Sequence, residues 1–155
     1  MKSAPHFIPR QSGQHRKLTA GLLVILCALP LRGIADIVLI VSPNSGINSV
    51  SIDVVSDLFL GKSNSLPGIN KKVQTLDLAE GNATREAFYR SIAKRDGSQM
   101  TAYWARMIFT GRGQPPIDTG DPTAMKRLVA GNPLLMGYID RADLDSSVRE
   151  VLNLH

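Results

Sequence analysis

The run Ile37-Val-Leu-Ile-Val41 is unbroken and almost entirely β-branched, and a strand of that kind needs apolar cover on both faces. It therefore points away from a sheet with one wet side and towards a sheet sandwiched between helices. The remaining sequence supplies such helices. Ser51 is placed to cap one whose apolar residues Ile52, Val55, Leu58 and Phe59 form a single stripe, with Asp53 in its first turn and Gly61 as a left-handed stop. Met100, Tyr103, Trp104, Met107 and Ile108 recur at helical spacing behind a Ser98 cap, which reads as core packing, with an exposed groove binder as the alternative. Asp121 and Pro122 open a further helix carrying Met125, Leu128 and Val129. Val73–Leu76 and Leu134–Ile139 read as strands, and Val148–Leu154 as a last strand with a short helix as the alternative. Strands alternating with helices define an α/β chain with a parallel or mixed sheet.

Between the Val73–Leu76 strand and a helix from Ala83 to Lys94, closed by Gly97, lies the turn Asp77-Leu-Ala-Glu-Gly-Asn82. The N–H groups that open a helix have no internal partner and can hold an anion without a specialised side chain. In open α/β sheets ligands sit beyond the carboxyl ends of strands. These two arguments nominate Gly81, Asn82, Thr84 and Arg85, joined by Ser42 from the loop after the first strand, as ligand-binding residues. Arg112, between two glycines, reads as a solvated loop arginine.

The first 35 residues have the layout of a secretory signal. Lys2, Arg10, Arg16 and Lys17 precede the apolar run Leu18–Leu29, and Gly33-Ile-Ala35 offers small residues before a cut at Asp36. The run is shorter than the roughly 20 residues a bilayer span requires. Cleavage would remove five of the 18 Lys and Arg and none of the 13 acids, leaving 13 of each sign. A neutral exported chain has no long-range field for nucleic acid, so no nucleic-acid partner is expected. Residues 36–155 also contain no cysteine and only His155 as histidine. That leaves no disulfide, no Cys/His metal site, no cysteine nucleophile and no Ser-His-Asp arrangement. One packed domain over 36–155, without metal or cofactor and without enzymatic activity, is the expectation. Asp77 and Glu80 read as solvated or capping groups rather than a catalytic pair.

Four segments carry a resemblance: Leu58-Phe-Leu-Gly-Lys62, Glu86-Ala-Phe-Tyr-Arg90, Ala102-Tyr-Trp-Ala-Arg-Met-Ile-Phe-Thr-Gly-Arg-Gly-Gln-Pro-Pro116, and Asn132-Pro with Gly137-Tyr-Ile-Asp140. In this order the chain resembles the small secreted proteins related to phosphate ABC-transporter substrate-binding proteins, in the type 2 periplasmic-binding superfamily. The resemblance implies a single three-layer lobe of that fold, a periplasmic location, and solute binding of phosphate or another small anion or polar solute. The anion turn of such relatives reads Arg-x-x-Asp-Gly-Ser-Gly-Thr. At the matching positions 77–84 only Gly81 and Thr84 agree, and Asp77 stands where the cation belongs. Arg85, one residue beyond, is a candidate replacement.

Two functions follow from the resemblance and from that departure. One is a solute-binding module. The other is a periplasmic interaction or sensor-accessory protein that has lost independent capture and docks on an inner-membrane transporter or receptor, or forms a homodimer.

Overall fold

The computed structural model describes residues 36–68 and 72–155. The expected signal segment, 1–35, lies outside the described residues. In chain order the elements are β1 Ile37–Val41, α1 Ile52–Phe59, β2 Gln74–Asp77, α2 Ala83–Ala93, α3 Gly97–Phe109, β3 Ile117–Asp118, α4 Pro122–Gly131, β4 Leu135–Asp140 and β5 Arg149–Leu154, with a short 3-10 turn over Arg141–Asp143.

All five residues of β1 are buried, as an unbroken apolar strand demands. The sheet order is β3-β2-β4-β1-β5. β2 runs parallel to β3 and β4, whereas β1 runs antiparallel to β4 and β5. The sheet is thus mixed. β5 confirms the strand reading of the last apolar segment, and β3 is a two-residue strand that carries no sequence signal of its own.

Side-chain alternation along β4 defines the layers. Tyr138 stacks on Phe88 of α2 at 3.7 Å between ring centroids, and Phe59 of α1 meets Phe88 edge-on at 4.7 Å. Gly137 faces the other way, against Met125 and Val129 of α4. Helices therefore cover both faces of the sheet.

The helix starts follow local chemistry. The Ser51 and Asp121 side chains accept from Val54 and Ala124 N–H groups, as expected of caps. Two expectations fail. α2 is closed by Lys94 in the left-handed conformation (φ 54°) rather than by Gly97, and α3 is capped by Asp96 rather than Ser98. Asp96 wins because Gln99 completes a reciprocal capping box with it, satisfying two orphan backbone donors where Ser98 would satisfy one. Of the α3 stripe, Met100 and Trp104 are buried, Tyr103 and Met107 are partly buried, and Ile108 is exposed. Leu128 of α4 is likewise exposed.

A Cβ on Gly137 would lie 2.6 Å from Met125 Sδ and 2.8 Å from its Cγ, in a place where Met125 is fully buried. Gly137→Ala should therefore destabilise the fold by about 1–3 kcal/mol through overpacking. Urea unfolding of the variant beside wild type measures the loss.

Candidate functional site

β2 ends in Asp77, and the chain then turns through Leu78–Gly81 into α2. Asn82 N–H donates to the carbonyl of Ala79 at 3.1 Å, and Gly81 takes φ +82°, a conformation that a side chain at this position would strain. This is the expected strand–turn–helix. Its helix start is already served, however. The Oδ1 of Asn82 accepts from the N–H groups of Thr84 and Arg85 at 2.9 and 3.3 Å, so the chain's own amide occupies two of the donors an anion would use.

The second feature is buried beneath the turn. Asp77 is 5% exposed and Arg85 7%. The Asp77 carboxylate collects four donors. Arg85 Nε at 3.0 Å and the Tyr89 hydroxyl at 2.9 Å reach Oδ2, while Leu78 N–H at 3.0 Å and the Tyr138 hydroxyl reach Oδ1. The Asp77 carbonyl is also engaged, accepting from both the backbone N–H and the hydroxyl of Thr119 at 2.9 Å. Arg85 and Tyr89 are one helical turn apart, which brings both side chains to the same flank of α2. Tyr138 arrives from β4, the parallel neighbour of β2. One guanidinium nitrogen, Nη1 of Arg85, is buried without a hydrogen-bond partner.

The electrostatics follow from this burial. Desolvation works against the Arg85 charge, but the adjacent Asp77 carboxylate outweighs it and holds the guanidinium above its ordinary range. Burial pushes the Tyr89 and Tyr138 phenols well up, and the Asp77 charge and hydrogen bonds add to the effect. Both hydroxyls are consequently held as donors to the carboxylate.

Of the five nominated residues, Gly81, Asn82, Thr84 and Arg85 sit together at the start of α2. Ser42 does not join them. Because β1 is antiparallel to β4 while β2 is parallel to it, the chain leaves β1 and β2 in opposite directions. Val41 lies level with Thr75 through Met136 of the intervening β4, so Ser42 and the Leu78–Gly81 turn diverge from there towards opposite ends of the strands. Ser42 is buried there, its hydroxyl donating to the Ala130 carbonyl at 3.3 Å and accepting from Asn44 N–H. Arg85 is tied to Asp77 rather than standing free as a replacement cation. Tyr89 and Tyr138 are site residues that the sequence alone does not assign. The only signal for Tyr89 is its four-residue spacing from Arg85, and Tyr138 has no local signal linking it to Asp77.

No family model matches the sequence, and neither does any curated protein. Solved structures do match. A Clostridium perfringens protein described as a phosphate ABC transporter substrate-binding protein, with phosphate bound, aligns with TM-score 0.60 and 23% identity over 76% of this chain and 45% of its own. An ABC-type phosphate transport receptor from Vibrio cholerae aligns with TM-score 0.60 and 17% identity, over 76% of this chain and 47% of that one. A protein from Planctomyces limnophilus described as a possible phosphate binding protein gives TM-score 0.56 and 12% identity, over 75% and 40%. At these identities the likeness shows the fold. The chain shares the α/β fold of part of each of these three structures, and it spans less than half the length of each.

Two outcomes are expected of the buried cluster. Asp77→Asn leaves the Arg85 charge buried and uncompensated, and should cost about 3–5 kcal/mol in denaturant unfolding. The pH dependence has a definite sign. With both phenols raised above their ordinary value of 10, the unfolded chain ionises them first, so this stabilisation is full below about pH 10 and declines above it. Unfolding midpoints taken between about pH 8 and pH 11 should fall more steeply for wild type than for a Tyr89→Phe/Tyr138→Phe double variant.

Proposed function

We propose that this chain is an exported, periplasmic, non-catalytic lobe of substrate-binding-protein type whose anion turn is satisfied from within. On this reading it serves as an interaction or sensor-accessory module that docks on an inner-membrane transporter or receptor, rather than capturing phosphate by itself. One observation carries the proposal: Asp77 presents a carboxylate to Arg85, Tyr89, Tyr138 and the Leu78 N–H. These groups have the chemistry of an oxyanion site, and the carboxylate already there takes the place of an oxyanion. An incoming phosphate would meet like charge and would have to compete with a partner that is covalently attached.

Solute binding at Gly81, Asn82, Thr84 and Arg85 is the second reading, favoured by the unpartnered Nη1 of Arg85. An anion or polar solute reaching that nitrogen would complete its hydrogen bonding. The phosphate bound in the Clostridium perfringens structure lends this reading its ligand class.

Calorimetric titration with phosphate and a panel of polar metabolites separates the two. The docking reading expects no saturable heat, with Gly81→Val and Thr84→Ala behaving alike. Micromolar binding abolished by Thr84→Ala would establish the second reading instead. Removing the internal carboxylate sharpens the test: formate should raise the melting temperature of Asp77→Ala by several degrees and leave wild type unmoved. Export is checked by N-terminal sequencing of the periplasmic fraction, where the processed chain should begin at Asp36.

A further inference from the structure

The far end of α2 and the outer side of α3 enclose a shallow groove of about 510 Å³, lined by Lys94, Arg95, Gln99, Ala102, Tyr103 and Arg106 together with Ala93. Three of these residues are cationic and none is acidic. Among the described residues, the ion pairs use Lys62, Arg85, Lys126 and Arg141, and Lys94, Arg95 and Arg106 take part in none of them. The groove is also partly preorganised. Tyr103 donates its hydroxyl to the Leu60 carbonyl at 2.6 Å, which fixes its ring, and the Arg95 guanidinium lies 4.6 Å from that ring's centroid.

Along α3 the same side continues from Gln99 through Ala102, Tyr103 and Arg106 to Phe109, at the three- and four-residue steps that share a helix face. Phe109 is 93% exposed, with Ile108 beside it at 52%. Its ring contributes nothing to the core, and it stands one helical turn from Arg106.

We infer that this groove is a docking site for an acidic segment of a partner protein. Carboxylates of the segment meet Lys94, Arg95 and Arg106, and an apolar side chain about one turn further on covers Phe109. The inference rests on the docking reading above and gives it a surface and a partner chemistry. A concave groove suits a peptide better than a bilayer, where binding scales with inserted apolar area and a lone aromatic with its neighbour supplies little. The balanced charge of residues 36–155 gives nucleic acid no general attraction to the molecule.

Fluorescence anisotropy with the purified protein tests this, using a labelled ten-residue glutamate-rich peptide containing one leucine. Saturable binding is expected, weakening at least tenfold between about 50 and 300 mM salt. It should weaken at least tenfold again in Arg95→Glu/Arg106→Glu, whose positions lie on the surface, with circular dichroism confirming the fold. Phe109→Ser should lower affinity severalfold for the leucine peptide and leave a version with alanine in that place unchanged. Absence of binding, equal affinity for a glutamine-for-glutamate peptide, or unchanged affinity in the charge-reversed variant overturns the inference. So does preference for phosphatidylglycerol vesicles or for an oligothymidine of similar charge. Failure here alongside a phosphate-silent turn leaves docking standing and this surface wrong. A working groove beside a turn that binds phosphate leaves the surface standing and overturns the self-satisfied turn.

Discussion

A carboxylate shut away from water is tolerable only if its charge and lone pairs are answered nearby. Asp77 meets that condition through groups drawn from three places in the chain: its own turn, one flank of α2, and β4. The consequence reaches well beyond one ion pair. Arg85 and Tyr89 must lie on the flank of α2 that faces the sheet, which fixes the rotation of the helix. Tyr138 must present its hydroxyl at the end of β2, which fixes the register of β4 against it. Phe88, between Arg85 and Tyr89 in sequence, is then placed to stack on the Tyr138 ring, and Phe59 closes over both. Polar specificity and apolar packing here share the same side chains, so the aromatic core and the carboxylate cluster stand or fall together.

That coupling explains what could be read from the sequence and what could not. β1, the Ser51 cap, and the Asp121-Pro122 helix start depend on chemistry within a few residues, and all three are seen where periodicity and capping put them. The cap of α3 is also a local matter: Ser98 and Asp96 both offer a capping side chain, and Asp96 has Gln99 as its capping-box partner. The position of Ser42 is a different kind of failure. An apolar strand has the same composition whichever way it runs, and only its hydrogen-bonded neighbours reveal that β1 opposes β4. Asp77 belongs with Ser42: an acid at the end of a strand reads as solvated until the tyrosine 61 residues away is brought to it.

The four resembling segments map onto the frame: α1 and its stop, the middle of α2, α3 with its following loop, and β4. These are the places that build a lobe. Positions 77–84 are a separate matter, since they depart from the anion turn that the resemblance implies. The aspartate that replaces the expected arginine does not simply delete a cation. It recruits the neighbouring Arg85 into the interior, so the fold keeps a positive charge near the turn while withdrawing it from solvent.

The two ends of α2 consequently carry cations under opposite conditions. At the first end, Arg85 is desolvated and bound to a carboxylate of the same chain, and its energy is spent on holding the fold. At the other, Lys94 is exposed and Arg95 is half-buried over the Tyr103 ring, with exposed Arg106 across the groove, and all three are unpaired among the described residues. A hydrated surface cation adds little to stability and is weakened by salt, so the fold does not depend on it. Groups that the fold does not need are free to be used by a partner, and groups committed to the interior are not. By that physical criterion the chemistry available to other molecules lies at the end of α2 and the face of α3 rather than at the start of α2.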